Sequence, residues 1–421
     1  MKYENEYIKI LKDELIPVNG CTEPVSLAYA ASLATKHLDD EVVEISVSAS
    51  RSIIKNVKAV VVPNTNGLKG VKAAIAIGVI GGDSSKGLLC ISQVSPEIIK
   101  QCKDFMNKTP INVKMATSNY IFDMHIVLKG KNHTSEVRIV DDHDNVVLVK
   151  RDEEIILKKD KFGIERVNLS DKSILTVESI YNFVNEVDIN KVKDLILNQI
   201  NCNMSIAEEG LKNKYGACIG QTLLKTGKDD LITKAKAYAA AGSDARMSGC
   251  NMPVVINSGS GNQGMTCTIP VVIYADALKV SEETKIRAVL LSNLLTLHVK
   301  EGIGILSAYC GAIAAGCCSG AAIAYLYGHG IEGISKTLVN SIAISSGIIC
   351  DGAKPSCAAK IALAVESGIF GYHMFINGND FKSGEGIVNK TVESTLKNVG
   401  KLASLGMVET DKEIVNIMLE K

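Results

Sequence analysis

Hydrophobic and polar positions repeat along this chain with two different periods. In residues 4–15, Tyr7, Ile8, Leu11 and Leu15 share one face and predict an amphipathic helix, which Pro17 and Gly20 end. VSLAYAASLATKHL predicts a second helix, with Thr22 as its N-cap and Pro24 in its first turn. Residues 41–48, EVVEISVS, alternate and predict a strand, and VKAVVVP at 57–63 reads as strand-like too. Asn64-Thr65-Asn66-Gly67 is turn chemistry, and residues 70–80 read as a helix ended by Gly81-Gly82. Between 87 and 160 the two periods interleave. KGLLCIS reads as a strand, PEIIKQCKDFMNK as a helix and INVKMATS as a strand. FDMHIVLKG, SEVRIVDD and NVVLVKRD then form a meander. From about residue 174 the helical period takes over and persists. The expected fold is therefore α+β. A mostly α-helical domain takes residues 1–40 and 175–421, and a smaller α/β domain takes 41–174.

Composition fits two domains. The 421 residues are 46% hydrophobic and 22% charged, enough for a packed core. Lys+Arg and Asp+Glu both number 46, so no basic excess argues for nucleic acid or an anionic membrane surface. Trp is absent and Gly numbers 35, which suggests close helix–helix contact through small residues. The N-terminal MKYENEYIKILKDEL is charged and has no apolar signal core, so a cytoplasmic protein is expected. Residues 303–328 carry no charge and are long enough to cross a bilayer. Their Gly, Ala, Ser and Cys insert poorly, and a helix buried on all sides reads the same way.

Cysteine changes the picture most. Twelve cysteines in such a chain do not suggest a disulfide framework. Five fall in residues 296–360. Cys350 and Cys357 frame Asp351-Gly352-Ala353-Lys354-Pro355-Ser356, whose Gly and Pro predict a loop able to wrap a cluster. No CxxC pair argues for zinc, whereas iron–sulfur clusters accept scattered thiolates. Cys310, Cys350 and Cys357 are the candidate ligands; as spacing alone the signal is weak. Cys317 and Cys318 lie mid-run and read as packing. Cys21 precedes a predicted helix N-terminus, where a thiolate is favoured, although a buried small residue explains it equally well.

Other candidates surround these. Asn257-Ser258-Gly259-Ser260-Gly261-Asn262-Gln263-Gly264 is neither a Walker A loop nor a dinucleotide fingerprint. Its backbone N–H groups, with Asn257, Ser258, Ser260, Asn262 and Gln263, suit a carboxylate. Ser52, Lys55 and Asn56 could orient the same group, though a polar surface explains them as well. His298 and Lys300, just before the charge-free run, are candidate proton carriers. His133 and His143 lie at predicted turns and carry no assigned role.

These stretches together resemble one family. GCTEP at 20–24, SRSIIKN at 50–56, NSGSGNQG at 257–264, HVKEGIGILSAYCGA at 298–312 and CDGAKPSCAAK at 350–360 are similar to the L-cysteine desulfidases and to the catalytic chain of iron–sulfur L-serine dehydratases. The resemblance spans nearly the whole length. It implies an oxygen-labile 4Fe–4S cluster on Cys310, Cys350 and Cys357, without pyridoxal phosphate. It implies Cys21 as proton-abstracting base or reversible fourth ligand. It implies α,β-elimination of L-cysteine to hydrogen sulfide, ammonia and pyruvate. The serine dehydratases can cap the cluster with a C-terminal cysteine; this sequence ends IMLEK, which leaves Cys21, water or substrate for that place. The expected partner is the small amino acid, with a homodimer left open. The alternatives are L-serine dehydration and a non-catalytic iron–sulfur sensor.

Overall fold

A computed structural model describes residues 3–118, 120–159, 170–304 and 307–419, with the side chains of Asn19 and Leu419 outside the description. The first half runs α1 (Glu4–Glu14), β1 (Pro17–Asn19), α2 (Thr22–Leu38), β2 (Val42–Ala49), α3 (Arg51–Val57), α4 (Gly70–Gly81), α5 (Pro96–Lys108), β3 (Ile111–Met115), β4 (Asp123–Gly130), β5 (Thr134–Val140), β6 (Val146–Arg151) and β7 (Glu154–Lys158). The second runs α6 (Val177–Glu186), α7 (Lys193–Lys212), α8 (Ile219–Thr226), α9 (Leu231–Met247), β8 (Pro253–Val255), α10 (Gly261–Ala277), α11 (Glu282–Ile303), α12 (Gly311–Leu326), α13 (Ile331–Ser345), α14 (Cys357–Ile376), α15 (Val392–Lys401) and α16 (Val408–Leu419). The fold is α+β and mostly helical, as the periods predict.

Six strands form one mixed sheet in the order β3-β2-β4-β5-β6-β7. Only β2 and β3 pair in parallel, joined by the crossover through α3, α4 and α5. The burial of β2 alternates along its length, as EVVEISVS requires of a half-covered strand. Two predicted strands are corrected. KGLLCIS falls in a 3-10 turn at Ser84–Leu89, because Asp83 accepts the Ser85 N–H and Gly87 turns left-handed (φ 54). VKAVVVP leaves α3 and, instead of joining the sheet, pairs through Val60 to Val62 with residues 68–70, because Asn64, Asn66 and Gly67, all at positive φ, turn the chain back.

The core has two main parts. Tyr7, Ile10 and Leu11 of α1 bury with the second-half helices. Residues of α2, including Leu27, Ala31 and Leu38, bury instead with the sheet, α3 and α4. Residues 1–40 are thus shared between the two, since the small face of α2 fits flat against α4 and the sheet. The short β1–β8 ladder pairs Asn19 with Pro253 and ties the start of α2 to the end of α9. Among the described residues no helix is long and apolar enough to cross a membrane. The charge-free run instead supplies α12, which is buried among other helices.

Candidate active site

Two helices set the positions of the cysteines. α12 and α14 touch backbone to backbone: a Cβ on Gly320 would lie 2.2 Å from the Gly368 carbonyl oxygen, and one on Gly368 would lie 2.1 Å from that of Gly316. Only small residues allow this approach, and it brings the two N-termini side by side. Cys310 is the N-cap of α12 and Cys357 is the first residue of α14. Cys350 arrives on an antiparallel bridge between Tyr309 and Ile349, in which Cys310 N–H donates to Ile348 O (3.1 Å) and Cys350 N–H to Ala308 O (2.6 Å). Cys310 and Cys350 are therefore diagonal neighbours on one face, a relation that spaces backbones by about 7–8 Å. The 350–357 loop closes through Gly352, at φ 93, where a Cβ would lie 2.1 Å from Lys55 O.

The three thiols sense one another. Burial first, then the neighbouring Cys350 and Cys357, pushes the Cys310 thiol up to about 12. Burial likewise raises Cys357. Burial drives the Lys300 ammonium down to about 8, opposed by Cys350 and Cys310, and Lys300 Nζ donates to Gly304 O at 2.6 Å. Lys354 and Lys360 both hold Asp351. Among the described residues no three His, Cys, Asp or Glu side chains close on a single metal ion.

α2 delivers the fourth cysteine. Cys21, rather than Thr22, is the N-cap of α2. It packs with Val60 and Met247, against Ala353 and Cys357. Its thiol donates to Glu23 Oε2 (3.1 Å), and Asn56 Nδ2 donates to Glu23 Oε1 (3.2 Å). A thiolate was expected at this helix end. Burial and the Glu23 charge instead raise Cys21 well above the ordinary thiol value, against the pull of Arg246. Burial alone would raise Glu23 also, but His143, the Cys21 thiol and Arg246 outweigh it and hold the carboxyl below its usual range. The ionised group here is the carboxylate.

The remaining candidates separate. Asn262 and Gln263 stand at the start of α10, and the Gln263 amide lies against Gly311, where a Cβ would meet its Cδ at 2.7 Å. Asn257 is fully buried and donates to Asn293 Oδ1 (2.9 Å), inside an amide network with Gln199. Ser258 and Gly259 form a left-handed turn closed by Asn257 and Ser260, and Ser260 caps α10. Ser52 is buried, one turn before Asn56. Lys55 is buried and ion-paired with Asp411 of α16. His298 Nε2 meets Glu393 Oε2 at 2.8 Å, where α11 packs on α15. Two residues along a helix face opposite ways, so His298 and Lys300 do not share a site. His133 pairs with Asp152 (2.8 Å) at the surface, whereas His143 stacks edge-on Phe122 (4.7 Å) near Glu23.

Glu23, Arg246, His143 and Asp411 carry no role in the motif reading. Glu23 sits inside GCTEP and was legible there; Arg246 ends a helix with no motif at all.

The description "Serine dehydratase alpha chain" fits a family model matched by residues 85–416. The chain belongs to the serine dehydratase alpha chain family. This is a family of serine dehydratase-like, iron–sulfur-dependent lyases. The match contains Arg246, the 257–264 turn and all three clustered cysteines, but not Cys21 or Glu23. Full-length relatives extend over those too. A UPF0597 protein of Desulfitobacterium hafniense is 50% identical across 100% of this chain and 98% of its own length. UPF0597 proteins of Finegoldia magna and Treponema denticola are 45% and 42% identical, each across 99% of this chain and 99% and 98% of their own lengths.

Proposed function

We propose that this member of the serine dehydratase alpha chain family cleaves L-cysteine by α,β-elimination to hydrogen sulfide, ammonia and pyruvate, as an L-cysteine desulfidase. The observation that carries the reading is that Cys350 and Cys357 lie within electrostatic reach of Cys310, and that Cys357 in turn packs against Cys21, whose thiol donates to Glu23.

Cys310, Cys350 and Cys357 would hold a 4Fe–4S cluster. Two features support the fit. The three thiols lie within electrostatic reach of each other. Two of them lie at helix N-termini, whose N–H groups favour an anionic centre. When bound, the cluster would supply a Lewis-acidic iron that stabilises the departing β-substituent.

Proton handling falls to the chain's own side chains. As the Cys21 sulfur takes the α-proton of the substrate, its own S–H proton passes to the ionised Glu23 carboxylate in the same step, so that no free thiolate has to form beforehand. Cα–H and Cβ–S break together, hydrosulfide leaves, and free 2-aminoacrylate tautomerises. Water then hydrolyses the imine to pyruvate and ammonia, with no net oxidation. Lys300, whose ammonium burial weakens, would return a proton to the leaving group.

L-Serine dehydration is the second reading, favoured by the description of the matched family. Protein reconstituted with iron and sulfide under anaerobic conditions should release pyruvate from both amino acids, with the larger kcat/KM on L-cysteine. A larger value on L-serine would establish the second reading. Failure to form pyruvate from either, despite cluster absorbance, would leave a sensor. Glu23→Gln should lower kcat by about 10²–10⁴-fold with absorbance retained. Unchanged kcat would remove the Cys21–Glu23 pair from the mechanism.

A further inference from the structure

The last turn of α9 carries a buried cation that, among the described residues, forms no ion pair. Arg246 is 5% exposed. Its Nη1 reaches only the neutral Asn262 Oδ1, at 3.4 Å, and its Nε has no hydrogen-bond partner. Among the described residues no carboxylate forms an ion pair with it. The other cations nearby are engaged: Lys55 by Asp411, Lys354 and Lys360 by Asp351, and Lys300 by the Gly304 carbonyl. A buried guanidinium left in this state is costly, and its planar fork of donors matches a carboxylate.

Its surroundings define where that carboxylate would lie. α10 begins against the guanidinium: a Cβ on Gly261 would sit 2.4 Å from Arg246 Nε, so only glycine leaves the group in place. The free N–H groups of the first turn of α10 add positive potential on the same side. Asn262 Nδ2 also touches Met247 Sδ (3.7 Å), and Met247 packs on Cys21. Arg246 therefore stands one residue away from the Cys21 contact, and both Cys21 and Glu23 sense its charge.

We propose that Arg246 anchors the α-carboxylate of the amino-acid substrate, and so limits turnover to amino acids whose carboxylate is free. This inference rests on the elimination reading above. With the carboxylate on the Arg246 fork, the α-carbon lies between that fork and the Cys21–Glu23 pair, and the β-substituent projects toward the three clustered cysteines. Asn262 and Gln263 keep a supporting part, and the charge comes from a residue outside the 257–264 turn.

The test uses the reconstituted holoenzyme with L-serine, L-cysteine and their carboxamides, together with L-alanine and L-alaninamide as non-eliminating probes. The wild type should turn over the acids and not the amides, and L-alanine alone should raise its Tm. Arg246→Gln should raise KM for the acids by about 10²-fold or more. It should also abolish the L-alanine shift while keeping cluster absorbance. Arg246→Lys, which keeps the charge but loses the fork, should fall between the two and carries the test if Arg246→Gln does not fold. Acid KM values within twofold of wild type in the variant, or equal turnover of acid and amide by the wild type, would overturn the assignment. Pyruvate formation by the wild type with unchanged KM in the variants defeats the anchor alone. Absence of pyruvate from wild type defeats the elimination reading, and the L-alanine shift then still decides whether Arg246 binds a carboxylate.

Discussion

Two buried polar regions flank the start of α10 and differ in how far their polar groups are satisfied. Around Asn293, most donors and acceptors answer each other, and Asn257 Oδ1 and Ser292 Oγ are left over. Gln199 and Asn293 exchange hydrogen bonds (2.9 and 2.7 Å), Asn257 and Cys267 both donate to Asn293 Oδ1 (2.9 and 3.3 Å), and Asn203 pairs both ways with the Val255 backbone. Around the ends of α9 and α10 they do not. Arg246 Nε, Gln263 Oε1, Asp244 Oδ1 and Ser248 Oγ are all buried without a partner among the described residues. Both regions carry cysteine, but Cys267 is sealed inside helices while Cys21, Cys310 and Cys357 stand at helix starts. Buried polar groups are normally satisfied, so the closed region is read as architecture and the open one as a place for a ligand.

The sharpest way to break this contrast is to exchange one thiol from each region. Cys310→Ala should abolish both cluster absorbance and turnover. Cys267→Ala should keep both and cost about 1 kcal/mol of stability. Equal outcomes would erase the distinction. Next in size, Asn293→Ala removes the shared acceptor of Gln199, Asn257 and Cys267. It should lower stability to urea by about 2–3 kcal/mol while KM stays unchanged. A rise in KM without loss of stability would move the substrate site into the amide network. The smallest effect is a pH dependence on the open side. Burial raises the Asp244 carboxyl to about 6, against the Gly220 and Ile219 backbone. Its folded value lies above the unfolded one of about 3.9, so the folded state binds the proton more tightly. The stabilisation is complete below pH of about 4 and is lost as pH rises through about 6. Asp244→Asn should flatten that slope in urea midpoints, since its amide oxygen can still accept the Gly220 N–H.

Period was the most legible property. EVVEISVS became β2, the meander became β4 to β6, and the helical period after residue 174 became a stack of helices. Turn chemistry was harder to read. KGLLCIS is as apolar as a strand, yet Gly87 and the Asp83 cap coil it, and VKAVVVP is turned back by left-handed Asn64, Asn66 and Gly67 onto residues 68–70 instead of joining the sheet. In the candidate site, the motif residues Asn56, Asn262 and Gln263 do stand near the cysteines. Lys55 and Asn257 are occupied by Asp411 and Asn293, partners far away in the chain that no local pattern names.

The order of residues alone determined the kinds of element, the small residues that let α12 and α14 touch, and the cysteines available to a metal. Contacts across long separations decided the rest: which thiols meet, that Glu23 rather than Cys21 carries the charge, and that Arg246 forms no ion pair among the described residues. The physical reason is that propensity and period act over a few neighbouring residues, whereas desolvation and electrostatic pairing depend on what tertiary packing brings within a few ångströms.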